Sequence, residues 1–273
     1  NQQNEQMLSV TEYLEEANKQ LEHQKEEIEK QQNEIQEEQQ KSEELLLNMF
    51  PEAVAHQLKK KGKVRPREFN VTVMFADFKN FTKTCEDLNP KEIVEELNYY
   101  FEFFDDLIEK HFIEKIKTIG DAYLCVGGLP FSNKSHPFNI VLAALQIQRF
   151  MNDLSDEKAL NGQKIWELRI GVHTGDVVAG VVGKRKYVYD IWGDTVNIAS
   201  RMETHGHVGL VNISESTYEL IKDHFDCKYR GKIEVKNKGE IDMYFVEGIK
   251  PQYAADKRRV FPNETFQKFI DSL

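Results

Sequence analysis

Two aspartates stand at the ends of strand-like runs far apart in the chain. Asp77 follows Val71-Thr-Val-Met-Phe-Ala, and Asp121 follows Ile116-Lys-Thr-Ile-Gly. In the first run Val71, Val73 and Phe75 alternate with Thr72, Met74 and Ala76, a β-branched and aromatic pattern that predicts a buried strand. Carboxylates held at the lips of neighbouring strands form an all-oxygen site suited to Mg²⁺ or Mn²⁺. Taken singly, each has a simpler role: Asp77 can cap the next helix, and Asp121 can fill a Gly-Asp hairpin turn.

A second group lies in and around Asp190-Ile-Trp-Gly-Asp-Thr-Val-Asn197-Ile-Ala-Ser-Arg201. Asn197 and Arg201 are four residues apart and project from one face of a predicted helix. An amide beside a guanidinium suits a negatively charged transition state, with the planar Arg fork on phosphate oxygens and Asn orienting a sugar or phosphate oxygen. The alternative is an exposed polar face on which Arg201 pairs with Glu203 or Asp194. Lys117, inside an otherwise apolar strand, reads as a buried lysine that needs a partner, and Asp190 is a candidate. The two match the edge of adenine: the lysine donates to N1 and the aspartate accepts from the exocyclic amine, whereas guanine inverts both groups. Lys236 could hold terminal phosphate oxygens, a role for which Lys238 competes. The P-loop signature, a Ser/His/Asp grouping and the HExxH zinc motif are all missing, and His173 reads as structural.

These groups need a scaffold. Asn89-Pro90-Lys-Glu92 is a capped helix start, and Ile93, Val94, Leu97, Phe101, Phe104 and Ile108 repeat behind it at helical spacing. Residues 111–126 predict two strands joined through Gly120, and Phe138, Val141, Leu142, Leu145 and Phe150 mark a second helix. Trp166 to His173 and Val177 to Val182 are expected to form a strand pair turning at Thr174-Gly-Asp176. The order is strand, helix, strand, strand, helix, strand, which is the ferredoxin-like βαββαβ arrangement of an α+β domain. Added elements follow: a helix over 194–204, a short strand at Leu210–Ile213, a helix from Ser214, and strands near 225–235 and 242–247. Residues 250–273 carry no readable role.

Residues 1–48 hold 13 Glu and 4 Lys and lack both Gly and Pro. Met7, Leu14, Leu21, Ile28, Ile35, Ser42 and Met49 fall at seven-residue spacing, with Val10, Ala17, Gln24, Gln31, Glu38 and Leu45 three positions on. That is a heptad pattern with an aliphatic first seam and a second seam polar in its middle, so a long parallel two-stranded coil of weak centre is expected. Most of the formal charge of −10 sits in this segment, and the remainder is close to neutral. No basic field of the kind nucleic-acid binding requires is present. Cys85, Cys125 and Cys227 are isolated thiols, which fits a reducing compartment. No apolar run approaches the roughly 20 residues that span a bilayer. A chain that begins with Asn1 rather than methionine is expected to be a fragment.

Four motifs in register resemble the class III nucleotidyl cyclases: Phe75-Ala-Asp77-Phe-Lys-Asn-Phe-Thr82, Lys117-Thr-Ile-Gly-Asp121-Ala-Tyr, Gly171-Val-His-Thr-Gly175, and Tyr189-Asp190 through Asn197 and Arg201 to Met202. The resemblance implies that Asp77 and Asp121 bind two divalent cations per site, Mg²⁺ or Mn²⁺, with the Phe78 backbone carbonyl as an extra ligand. It implies that Lys117 and Asp190 are the base-selecting pair in its adenylyl form, where guanylyl enzymes carry Glu and Cys. Asn197 and Arg201 match the transition-state pair, and Lys236 the phosphate-binding lysine. The implied enzyme is an adenylate cyclase acting on ATP in a head-to-tail homodimer, each site shared between subunits; the alternatives are a guanylate cyclase or an inactive cyclase-like module. The implied organisation is a signalling coil over 1–48, a transducer over 49–69, a catalytic domain over 70–250 and a tail over 251–273. An upstream sensor is expected in the full-length protein, with this part in the cytoplasm or on the cytoplasmic side of an anchored parent. Asp176 departs from mammalian heterodimeric enzymes, one half of which has a phosphate-contacting arginine near that position.

Overall fold

The computed structural model describes residues 2–235 and 239–273, with side chains described for Met7 and from Leu14 onward. They divide into two compact units, Asn1–Lys60 and Lys61–Leu273. In the first, helix α1 (Gln2–Leu47) runs 46 residues without a Gly or Pro to break it. Leu14, Leu21, Ile28 and Ile35 are 56, 61, 53 and 55 % exposed, so the aliphatic heptad seam lies open along the single chain. Helix α2 (Glu52–Lys61) starts directly after Pro51, and its Lys59 reaches Glu43 of α1 at 2.6 Å.

The second unit is built on one sheet. Strand β1 (Arg67–Phe78) leads through a short helical turn, α3 (Phe81–Thr84), to helix α4 (Pro90–Lys110). A hairpin of β2 (Ile113–Ile119) and β3 (Ala122–Gly127), helix α5 (His136–Leu160) and strand β4 (Leu168–Val182) complete the βαββαβ core. The sheet order β2-β3-β1-β4, with every neighbour antiparallel, is the ferredoxin-like arrangement expected from the sequence. Six consecutive residues of β1, Val71 to Ala76, are buried, so the sheet is covered on both faces. Helix α4 opens with a full capping box: Asn89 accepts from the Glu92 amide at 3.0 Å, and Glu92 accepts from the Asn89 amide at 2.9 Å. Its Tyr100 and Phe104 are fully buried, but Val94 is 65 % exposed and falls outside the apolar stripe expected for it.

Beyond β4 the chain adds β5 (Val188–Trp192), which pairs with β4, then α6 (Asp194–Thr204), β6 (Val211–Ser214), α7 (Glu215–Ile221), β7 (Phe225–Val235) and β8 (Gly239–Ile249). The sheet continues past β4 as β6-β8-β7, with β6 parallel to β4. The final residues are also built into this unit: α8 (Glu264–Asp271) buries Phe266 and Ile270 in the main core.

One expectation is corrected. Thr174-Gly-Asp176 is not a turn but the middle of a single 15-residue strand, β4, paired without interruption from Leu168–Phe78 to Ala179–Arg67. The glycine there serves packing. A Cβ at Gly175 would stand 2.7 Å from Thr195 Oγ1, and one at Gly171 would stand 1.8 Å from the Glu203 amide nitrogen. Bare backbone at these two positions lets α6 lie directly on β4.

Candidate active site

Asp77 is the penultimate residue of β1, and Asp121 occupies the β2–β3 turn after Gly120, whose φ is 65°. Because β3 pairs with β1 in a register of Ala76 opposite Tyr123, the turn lies beside the end of β1. The Asp121 carboxyl is raised above the ordinary carboxylate range, first by burial and then by the neighbouring Asp77 charge. Two carboxyls crowded in this way are relieved by a shared proton or by a cation. They therefore fit a hard, oxygen-liganded ion. Among the described residues no group of three or more His, Cys, Asp or Glu side chains is arranged to hold a metal. One chain thus offers two carboxylates and backbone oxygens, and a bound ion would complete its shell with water and substrate oxygens, as Mg²⁺ commonly does. The Phe78 ring is buried against Tyr100, Phe101 and Trp166, which holds the backbone at the end of β1.

The structure adds a residue that sequence reasoning missed. Arg169 is the register partner of Asp77 on β4, and its Nη2 lies 3.2 Å from Asp77 Oδ2 and 2.8 Å from Glu203 Oε1. Glu203 is buried on α6, and its carboxyl is pushed up to about 7, mainly by burial and against the pull of Arg169. An arginine early in the apolar run Leu168-Arg-Ile-Gly-Val was the available signal, since such a charge requires a partner.

Lys117 and Asp190 come together within one chain. Lys117 Nζ donates to Asp190 Oδ2 at 2.5 Å, and Asp190 Oδ1 accepts from the Ile191 amide at 2.9 Å. The pairing depends on a bulge in β2, where the register with β3 shifts between Lys115 and Lys117. Two residues apart in a regular strand, these lysines would share a face. Instead Lys115 donates to Asp105 of α4 at 2.7 Å, while Lys117 turns to β5. The Lys117 side chain is 39 % exposed and that of Asp190 14 %, so the lysine is not buried as its apolar surroundings suggested.

Asn197 and Arg201 lie on the exposed face of α6, and Ile198, Ala199 and Met202 on the same helix are buried. Thr195 Oγ1 donates to the Asp176 carbonyl at 2.7 Å, and Asn212 Nδ2 donates to the Met202 carbonyl at 2.7 Å, so both ends of the helix are tied down. Arg201 does not pair with Glu203, which Arg169 takes; its Nη1 donates to the Glu234 carbonyl at 3.5 Å. Among the described residues no hydrogen bond or ion pair joins Asn197 or Arg201 to Asp77 or Asp121. Lys236 and Lys238 lie outside the described residues. Asp176 accepts from Asn70 Nδ2 at 2.7 Å, and buried His173 bonds through Nδ1 to Ser214 Oγ at 2.7 Å, a structural role.

A family profile described as "Adenylate and Guanylate cyclase catalytic domain" matches residues 64–248, and one described as "Heme NO binding associated" matches residues 6–58. An adenylate cyclase of Mycobacterium tuberculosis is 38 % identical over 222 residues, covering 81 % of this chain and 49 % of its own. Guanylate cyclase soluble subunit beta-2 of Rattus norvegicus is 42 % identical over 211 residues, covering 76 % of this chain and 30 % of its own. The chain thus spans about half or less of these curated relatives. Among solved structures, the guanylate cyclase domain of RhGC from Catenaria anguillulae in complex with GTP matches with a TM-score of 0.63 at 35 % identity, covering 67 % of this chain and 100 % of that one. A profile that takes in most of the chain, on a sheet carrying all four motifs in order, means that the chain belongs to the class III nucleotidyl cyclases.

Proposed function

We propose that the chain is an adenylate cyclase that converts ATP to 3′,5′-cyclic AMP and pyrophosphate at two equivalent sites, each shared between the subunits of a homodimer. The observation that carries the choice of ATP is the Lys117–Asp190 pair, one donor and one acceptor 2.5 Å apart. Opened to a base, Lys117 donates to adenine N1 and Asp190 accepts from the exocyclic amine; guanine would set like polarity against both. Asp77, Asp121 and the Phe78 carbonyl are the ligands for two divalent cations. When bound, the cations supply charge neutralisation of the triphosphate and a lowered pKa for the ribose 3′-hydroxyl. Arg201 holds the negative charge that grows on the α-phosphoryl oxygens during in-line attack, Asn197 orients the ribose, and Lys236 grips the terminal phosphates. Asn197 and Arg201 lie on the exposed face of α6, open to a second copy that would supply the opposing half of each site.

In this reading residues 1–48 form a parallel two-stranded coil through the open heptad seam, 49–69 transmit its state, 70–250 catalyse and 251–273 close the domain. The match of residues 6–58 to a segment associated with heme NO binding supports an upstream sensor in the full-length protein. Among the described residues no helix is long and apolar enough to cross a membrane. Guanylate cyclase activity is the second reading, favoured by relatives that bear that name at similar identity. Cyclic product measured from ATP and from GTP, each with Mg²⁺ and with Mn²⁺, decides between them. GTP turnover exceeding ATP turnover in both metals refutes the proposal.

A further inference from the structure

Arg169 stands where the two halves of this chain's chemistry meet. A single nitrogen, Nη2, faces Asp77 on β1 at 3.2 Å and Glu203 on α6 at 2.8 Å. Glu203 lies in the last turn of α6, two residues beyond Arg201, and has little room to adjust. Its amide nitrogen rests on Gly171, where even a methyl group would come within 1.8 Å, and its side chain is 8 % exposed. The Arg169 side chain is 22 % exposed, and its Nε is buried without a hydrogen-bond partner. The guanidinium is therefore held chiefly by the two carboxylates, one on the cation-binding edge and one on the helix that presents Asn197 and Arg201. Arg169 thereby links that helix to Asp77 through a pair of ionic contacts.

We infer that Arg169 is a positioning residue for both half-sites of one chain, aiming the Asp77 carboxylate at the cations and, through Glu203, fixing the helical turn that carries Arg201. The inference rests on the shared-site reading above. If Asp77 and α6 of one chain serve different active sites, Arg169 is also the ionic connection between the two sites of a dimer.

Mixed dimers carrying two affinity tags test this. A chain with Asp77→Ala joined to a chain with Arg201→Ala retains one competent site, its metal half from the Arg201→Ala chain and its helix half from the Asp77→Ala chain. Arg169→Met is then added to either chain, so that it perturbs one half of that site at a time. Each placement is expected to lower kcat by about 10- to 100-fold, as loss of an outer partner of a metal ligand typically does. Glu203→Gln, which keeps the side-chain shape, is expected to lower kcat only when carried on the Asp77→Ala chain. A second readout is free of turnover: Mn²⁺ binding to homodimers followed by electron paramagnetic resonance. Arg169→Met is expected to weaken it by about tenfold and Arg169→Lys to recover most of the loss. A mere neighbouring positive charge would act in the opposite sense, because removing it tightens cation binding.

The outcomes separate cleanly. An inactive reference pair would refute the shared site while leaving the Mn²⁺ measurement to judge Arg169. An active reference pair with full activity in either Arg169→Met placement, or unchanged or tighter Mn²⁺ binding, would overturn the dual role.

Discussion

The double substitution Lys117→Glu with Asp190→Cys tests base selection directly. The native pair presents one donor and one acceptor 2.5 Å apart, with Asp190 further oriented by the Ile191 amide. A well-made two-point contact to a base edge is worth about 1–3 kcal/mol of discrimination. Lys117 is 39 % exposed, so water can partly replace it, and the lower half of that range applies to its contact. The substitution removes the match to adenine and creates one to guanine. The two changes sum to about 3 kcal/mol, or about a 100-fold shift of the ATP:GTP ratio of kcat/KM toward GTP. Water screens the exposed Lys117 end of the pair, but Asp190 is mostly buried, so some loss of thermal stability is expected in the variant. Steady-state kinetics with both nucleotides, alongside a melting curve, provide the check. A ratio unchanged within about threefold in a folded variant would refute base reading by these side chains.

Four further outcomes are expected. Asp77→Ala or Asp121→Ala should abolish turnover, and either inactive chain should regain activity when mixed with an Arg201→Ala chain, as a product assay on mixed dimers will show. Gly171→Ala forces a Cβ to within 1.8 Å of the Glu203 amide and must displace α6, so it should cost about 3 kcal/mol or more in urea unfolding and remove activity. The Glu114 carboxyl is raised from 4.5 to about 7 by burial. The folded chain therefore binds more protons than the unfolded chain between those values, and this group's contribution to stability is lost as pH rises through about 7. Glu114→Gln should accordingly stabilise the protein by on the order of 2 kcal/mol at pH 8 and not at pH 4, measured by denaturant unfolding. Removing residues 1–48 should weaken dimerisation and change basal activity, read by sedimentation and product assay; an unaltered dimer would remove the coil from the proposal.

Much of the scaffold was legible because it is written in neighbouring residues. The alternation through Val71 to Ala76, the Asn89–Glu92 capping box and the helical stripe at Phe101 and Phe104 specify elements from local spacing alone. The heptads from Met7 to Ile35 specify a long helix in the same way. The pairs Asp77 with Asp121 and Lys117 with Asp190 were legible as chemistry, since a strand-end carboxylate or a lysine among apolar residues demands an explanation wherever it sits.

What no local pattern contains is which side chain answers the demand. The turn expected at Thr174-Gly-Asp176 was the reasonable reading of a glycine in a strand, yet that glycine exists to admit Thr195 of α6. The bulge between Lys115 and Lys117 sends one lysine to Asp105 and the other to Asp190, and only the register with β3 reveals it. Arg169 could be noticed in the sequence, but its double hold on Asp77 and Glu203 follows from β1 pairing with β4 and α6 lying across two glycines. Residue types and short-range periodicity thus determined the elements and the chemical vocabulary, because both depend on nearest neighbours. Register, bulges and helix-on-sheet contact decided which charges meet, because pairs such as Lys115–Asp105, Lys117–Asp190 and Arg169–Asp77, 10, 73 and 92 residues apart, are relations between segments that exist only once the chain has folded.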